Sequence, residues 1–278
     1  ASDYTCESYA YAFKLLFEYA SDCLKVAPFK LNLEQLDAPL VVAFLNRLET
    51  TRGNGPSSRN TRLAAIKSFM HFMSYRVPSA MEQIQRILAI PAKKAEARLV
   101  RHFSGEEMQS ILDAPVPDHR AGIRDRAMLH LCYAAGLRVS ELIGLRLDDV
   151  KLQPHASILI HGKGRKQRCL PLWKETASAL RAWLAVRDAV SAPELFVNAR
   201  GEAMTRSGFE YILRKHAHRA ATRCSSLSTK RVSPHVVRHT CALMILQATK
   251  DLRKVSLWLG HAHMTTTEMY TRADPSVK

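Results

Sequence analysis

Apolar positions recur at three- and four-residue spacing over most of this chain, which predicts a mainly α-helical protein. The run ESYAYAFKLLFEYASDCL sets Tyr11, Leu15, Leu16 and Tyr19 on one helical face. LNLEQLDAPLVVAFLNRLE predicts a second helix that restarts near Pro39. RGNGPSS, residues 52–58, reads as a Gly/Pro/Ser loop. RNTRLAAIKSFMHFMSYR then repeats Leu63, Ile66, Phe69 or Met70, and Met73. After Pro91 the polar, basic stretch IPAKKAEARLV has no such period and reads as a connector. The expected organisation is a helical domain over 1–92, a linker over 93–102 and a second domain over 103–278.

The second domain opens on a helix, because Ser104 and Glu107 match the Ser-x-x-Glu capping box. Between residues 157 and 172 the period changes. SILIHGKGRKQRCLPL is a β-branched run, a glycine-framed basic turn and renewed alternation, which predicts a β-hairpin. Helical spacing then returns. Ser233 and Pro234 are suited to the cap and first position of a helix whose expected buried stripe is Val237, Cys241, Met244 or Ile245, and Ala248. Gly260 fits the left-handed position that ends a helix, and Thr265 with Glu268 predicts another helix start. The expected fold class is mainly α with a small antiparallel β-sheet.

Composition adds a partner. The 278 residues carry 41 Lys and Arg against 25 Asp and Glu, a formal net charge of +16. Residues 1–99 hold 13 basic and 9 acidic side chains, so most of the excess lies beyond residue 100. Such a balance attracts polyanions, chiefly nucleic acid or an anionic membrane surface. No run of about 20 apolar residues exists to span a bilayer, and no secretory signal is visible. The six cysteines are scattered, with no CxxC pair and no zinc-ligand spacing, which suits a reducing cytoplasm. The sequence opens on Ala1 rather than Met, which fits processing or trimming.

Several motifs bear chemistry. His235 and Arg238 lie three apart in the first turns of the Ser233-capped helix: either an anion site at a helix N-terminus or an exposed histidine and an ion-paired arginine. Arg138 follows Gly136 at a helix-to-helix turn, with Glu141 one turn on: either a cation aimed into a cleft or a structural pair. Lys163, between two glycines of the hairpin turn, is either solvated or a proton donor to an alkoxide leaving group. In one continuous helix His261 and Tyr270 would face opposite ways. The break at Gly260 lets them converge, with Tyr270 either unburied and free to reach a substrate or a surface ring packed on a neighbour. Arg59, Arg62, Lys67 and Arg76 share a helix and either line a nucleic-acid backbone or form a solvated face. Taken together, cations, two histidines and a tyrosine suit phosphoryl transfer, with arginines in the place of metal ions and Tyr270 as covalent nucleophile.

AGLRVSEL, HGKGRKQRCLPL, HVVRH and LGHAHMTTTEMYTR match, in order and approximate spacing, the signature of the tyrosine recombinase (phage-integrase type) family, which this chain resembles along essentially its whole length. The resemblance implies an N-terminal core-binding domain and a C-terminal catalytic domain that together clamp double-stranded DNA. It implies that Arg138 and Arg238 stabilise the pentavalent phosphate and that Glu141 supports the first arginine. Lys163 would protonate the departing 5′-oxygen, with Lys166 close by in the same turn; His235 would handle the tyrosine proton and His261 would hydrogen-bond the phosphate. Tyr270 would form a 3′-phosphotyrosyl bond, so neither ATP, a metal nor another cofactor is required. Strand exchange would run in a homotetramer on two duplexes, with accessory recombination proteins as further partners and no membrane. The expected setting is the cytoplasm, on the nucleoid. Arg59, Arg62, Lys67, Arg165, Lys166, Arg206 and Arg231 are the expected DNA contacts. RKVSLWLGHA and YTRADP favour a mobile-element recombinase acting in integration, excision or transposition. The alternatives are a chromosome-dimer-resolution recombinase, a type IB topoisomerase, or a DNA-binding factor without activity. Family members usually continue past the tyrosine into a helix that docks on a neighbour. Here only TRADPSVK follows, which predicts a shortened chain or different subunit contacts, and weak assembly without DNA.

Overall fold

The computed structural model describes residues 3–94, 100–162, 166–187, 190–261 and 265–272. The chain divides into two compact units, Ala1–Ala97 and Arg98–Lys278. The structure is mostly helical with one small antiparallel sheet.

Among the described residues the first unit holds four α-helices, α1 (Asp3–Leu24), α2 (Ala38–Arg52), α3 (Pro56–Ser74) and α4 (Met81–Leu88). Its core gathers Leu15 and Leu16 from α1, Phe44 and Leu45 from α2, Leu63, Ile66 and Met70 from α3, and Ile84 and Ile87 from α4. Burying one such side chain contributes about 1.5–3 kcal/mol. The buried face of α1 is rotated from the expected one: Ala12 and Ala20 are inside, whereas Tyr11 is 45% exposed. Helix α2 begins one residue after Asp37, whose carboxylate accepts the Leu40 N–H. The loop expected at 52–58 is shorter. Gly53 ends α2 in the left-handed conformation, and Pro56 already opens α3 at a position where its missing N–H costs nothing.

At the end of this unit Lys93 is fastened by the Asn60 side chain through both main-chain groups, at 2.8 and 3.0 Å, and its ammonium reaches Glu49 at 2.6 Å. Val100 and Phe103 are buried in cores of the second unit. Of the stretch expected as linker, residues 95–99 lie outside the described residues.

The second unit contains α5 (Gly105–Asp113), α6 (Arg120–Ala134), α7 (Val139–Ile143), strands β1 (Val150–Lys151), β2 (Ser157–His161) and β3 (Gln167–Pro171), then α8 (Lys174–Val186), α9 (Arg206–Ala221), α10 (Pro234–Thr249), α11 (Leu252–Leu259) and α12 (Thr265–Glu268), which continues as a 3-10 turn over Met269–Arg272. The sheet order is β1-β2-β3, all antiparallel, with Leu159 opposite Cys169 and His161 opposite Gln167. β1 is a two-residue strand that the period-two pattern does not reach. Ile158, Ile160 and Leu170 point into the core. The capping box at Ser104 and Glu107 is formed, and Ser233 caps α10.

Helix α10 is enclosed on nearly every side, with Val236, Val237, Arg238, Thr240, Cys241, Ala242, Leu243, Ile245 and Leu246 all buried. The single stripe read from its period is too narrow, and Ala248 lies on the exposed side. Because α10 is the centre of this unit, side chains on its first turns meet the ends of α6, α7 and α11.

Candidate active site

Three helix ends build the site. Helix α6 stops at Gly136, whose φ of 57° is the left-handed conformation a side chain resists. Arg138 then caps α7, and Glu141, one turn on, accepts the Arg138 main-chain N–H at 2.9 Å and its guanidinium at 2.8 Å. Glu141 also takes both terminal nitrogens of Arg168 from β3, at 3.1 and 2.9 Å, and lies 3.8 Å from Arg238. Its side chain is 5% exposed, so one carboxylate sits under three guanidinium groups. Burial works to raise its pKa. The hydrogen bond and charge of Arg168, then the main-chain N–H and charge of Arg138, outweigh that, and the net shift is downward.

Arg238 is 4% exposed. It donates to two main-chain carbonyls, Gly136 O at the end of α6 and Leu259 O at the end of α11, the latter at 2.7 Å. Burial first, then the charge of Arg138, pull its pKa down to about 10, with Glu141 opposing, so the group remains cationic at neutral pH. Arg138 is the freer of the pair, with 39% of its side chain exposed. It borders two concavities: a smaller one of about 350 Å³ shared with His235, Arg206 and Arg231, and a larger one of about 760 Å³ shared with Arg168, Lys166 and His261.

Arg168 carries no local sequence signal of its role. Besides Glu141, its Nε–H donates to Trp258 O at 3.0 Å, and a Cβ on Gly260 would meet it at 2.9 Å. One side chain thereby ties β3 to α7 and to the end of α11. Gly260 ends α11 at φ 64° as the sequence predicts, and His261 follows, half-buried on the wall of the larger cleft.

The hairpin that carries the basic turn is braced at the end next to that turn. His161 bonds Asp149 at 2.8 Å, the Gln167 amide reaches the same ring at 3.1 Å, and Gly162 N–H donates to Lys166 O at 2.7 Å. Lys163 and Arg165 themselves lie outside the described residues.

Tyr270 departs from the expectation of an unburied side chain. It is 1% exposed, packed in an apolar cluster with Leu246, Val255 and Leu259. Its hydroxyl lies 2.9 Å from His239 Nδ1, so the partner of the phenol is His239 rather than His235. The His235 and His239 ring centres are 6.5 Å apart. His261 and Tyr270 do converge, with nearly parallel rings 6.4 Å apart. The nearby guanidinium groups favour the phenolate, but they are outweighed. Burial dominates, and despite Arg238 and Arg138 the Tyr270 pKa is pushed up to about 12. Burial, then the charges of His235 and Arg238, push His239 down to about 4. A neutral phenol and a neutral imidazole therefore share this hydrogen bond. For His261, burial first and then Arg238, Arg138 and Arg168 lower the pKa to about 4. His235 is exposed in the smaller concavity, and desolvation by its walls, followed by Arg238, Arg206 and Arg138, lowers its pKa as well.

The expected DNA contacts fare differently. Lys166, Arg206 and Arg231 are exposed, and Arg206 pairs with Glu210 at 3.6 Å. Arg62 is half-buried over the Tyr11 ring at 4.8 Å, and Lys67 is half-buried. Arg59 is 4% exposed and 3.7 Å from Glu49, so its charge is turned into the first unit rather than offered at the surface. Burying a cation is tolerated where a carboxylate lies alongside, and the helical period alone carries no sign of that partner.

The chain matches the phage integrase family over residues 101–276. Over 278 residues it is 41% identical to a putative integrase/recombinase, y4rC, of Sinorhizobium fredii, covering 100% of this chain and 84% of that protein. It is 35% identical over 239 residues to tyrosine recombinase XerC of Pelobacter propionicus, covering 86% of this chain and 75% of that one. Among solved structures it is similar to XerH site-specific recombinase bound to difH in a pre-cleavage complex, at 25% identity and TM-score 0.71, covering 95% of this chain and 76% of that one. A lambda integrase tetramer bound to a Holliday junction shares the fold at 15% identity and TM-score 0.66, covering 97% of this chain and 72% of that one.

Proposed function

The chain belongs to the phage integrase family, the tyrosine recombinases, and from that footing we propose that this site cleaves and rejoins double-stranded DNA through Tyr270. The protein is a site-specific recombinase, an enzyme of DNA strand transfer. The observation that carries the residue assignment is the meeting of Arg138, Arg238 and Glu141 with the Tyr270 hydroxyl and two histidine rings at the ends of three helices.

On this reading a DNA phosphate takes its place beside Arg138, with Arg238 behind it. Guanidinium groups held before the phosphate arrives stabilise the charge that grows on its equatorial oxygens. Tyr270 Oη attacks phosphorus, the bond to the 5′-oxygen breaks, and the phenol proton passes to an imidazole. His239 is the imidazole in contact with it, and His235 faces the same cluster from the smaller concavity. Lys163 hands a proton to the departing 5′-oxygen. The product is a 3′-phosphotyrosyl bond and a free 5′-hydroxyl, and a 5′-hydroxyl from a second duplex reverses the step. His261 donates to a non-bridging oxygen from the wall of the larger cleft. Tyr270 is sheathed at 1% exposure, so the turn over Met269–Arg272 has to shift before attack.

On the same reading Lys166, Arg206 and Arg231, all exposed, meet the DNA backbone, in a homotetramer that holds two duplexes. Similarity to y4rC supports a mobile-element role in integration, excision or transposition, and similarity to XerC keeps chromosome-dimer resolution as the second reading. Among the described residues no helix is long and apolar enough to cross a membrane. The test is a nicked suicide substrate with denaturing electrophoresis. Tyr270→Phe should bind DNA and form no covalent adduct; residual adduct would assign the nucleophile elsewhere.

A further inference from the structure

Thr267 is fully buried at 0% exposure, and its hydroxyl meets His261 Nδ1 at 2.8 Å. A buried hydroxyl on a short terminal element is costly unless it is bonded. Here it is bonded to the His261 ring, which lines the cleft together with Arg138 and Arg168. Among the described residues the opposite nitrogen, Nε2, makes no hydrogen bond. A neutral imidazole carries one proton, and the bond at one nitrogen decides which nitrogen holds it. Two pulls compete. The guanidinium groups of Arg138 and Arg168 favour a lone pair on the cleft side. If the Thr267 O–H donates to Nδ1, that nitrogen keeps its lone pair and the proton sits on Nε2. Thr267 is also one turn before Tyr270, on the helix that runs into the turn bearing it, and the His261 ring lies parallel to the Tyr270 ring.

We propose that Thr267 is a positioning residue that holds His261 as the Nε2–H tautomer, ready to donate to a phosphate oxygen, and links that readiness to the position of α12. The proposal rests on the recombinase reading for the phosphate. Its tautomer claim stands apart from that reading. Thr267 lies on α12, ahead of the 3-10 turn that has to shift for attack, so Tyr270 can move while the bond to His261 stays. Displacement of α12 itself removes the Thr267 hydroxyl, and His261 loses its fixed proton.

The experiment uses the full chain with 15N-histidine. The His261 signals are assigned by their loss in His261→Gln. Nitrogen shifts read the tautomer, and single-turnover cleavage of a nicked suicide duplex reads the chemistry. Thr267→Val keeps the shape and removes the hydroxyl. It should move the His261 shifts away from the Nε2–H pattern and slow cleavage by roughly 10- to 100-fold, the usual loss for a residue that orients a functional one. Thr267→Ser should restore both. Should the valine variant fail to fold, Thr267→Ala carries the same comparison. Wild-type cleavage in the hydroxyl-free variant, or slowed cleavage with unmoved nitrogen shifts, overturns the proposal. Tyr270→Phe run alongside separates the two ideas: adduct in that control removes the functional reading, while the nitrogen shifts still judge the tautomer claim.

Discussion

Glu141→Gln tests the electrostatic design of the site. The carboxylate faces Arg138 at 2.8 Å, Arg168 at 2.9 Å and Arg238 at 3.8 Å, and its own side chain is 5% exposed. Removing one member of a buried ion pair typically costs about 3–5 kcal/mol, because the partner charge is stranded. Arg138 is 39% exposed and water screens it, so the cost comes chiefly from Arg168 and Arg238, at 12% and 5%. For a unit of this size each kcal/mol moves Tm by about 2–4 °C. A fall on the order of 10 °C is expected at pH 7. All three tryptophans, Trp173, Trp183 and Trp258, lie in the second unit, so selectively excited tryptophan fluorescence follows that unit during thermal unfolding. The pH dependence has a definite sign. Glu141 has a depressed pKa in the folded protein. Its stabilisation is fully present above the unfolded value, about 4.3, and is lost as pH falls through the folded value. The gap between wild type and Glu141→Gln should be constant from pH 7 to 5 and close in more acid solution. A Tm change within about 2 °C at pH 7, or a gap that persists unchanged to pH 3, would refute the reasoning.

Two further substitutions probe the buried parts. His239→Phe leaves the Tyr270 hydroxyl without its imidazole in an apolar cluster and should destabilise by about 1–3 kcal/mol. Adding Tyr270→Phe should recover most of that loss, and strict additivity in urea unfolding would deny the coupling. Gly136→Ala puts a Cβ at 2.5 Å from Leu259 Cδ2 and 3.1 Å from Cys241 Sγ, at a left-handed φ. It should cost about 2 kcal/mol or more and lower suicide-substrate cleavage, because Gly136 O holds Arg238; unchanged unfolding and cleavage would argue against a strained position.

Much of the scaffold is legible because its signals are local. The box at Ser104 and Glu107, the cap at Ser233, the stop at Gly260 and the hairpin over 157–171 each depend on residues within a few positions of one another. The parts that escape depend on contacts across the chain. His239 follows Arg238 directly and meets a phenol 31 residues away, and Arg168 meets a carboxylate 27 residues away. Alternation along a strand says only which face a side chain takes, not what waits there. Tyr270 was expected outside because a lone aromatic among polar neighbours carries no apolar period, yet α10 and α11 supply its pocket. Arg59 falls inside for the same reason, with Glu49 contributed by the preceding helix.

The socket of Arg238 has a consequence for how such a protein tolerates change. Its guanidinium is aimed by carbonyls of the main chain, at Gly136 and Leu259, which every residue type possesses. Neighbouring side chains can therefore be exchanged without redirecting the cation, as long as the two left-handed turns at Gly136 and Gly260 persist. The orientation of the buried cation is inherited through backbone path rather than through residue identity, leaving the surrounding surface open to retuning for a new target sequence.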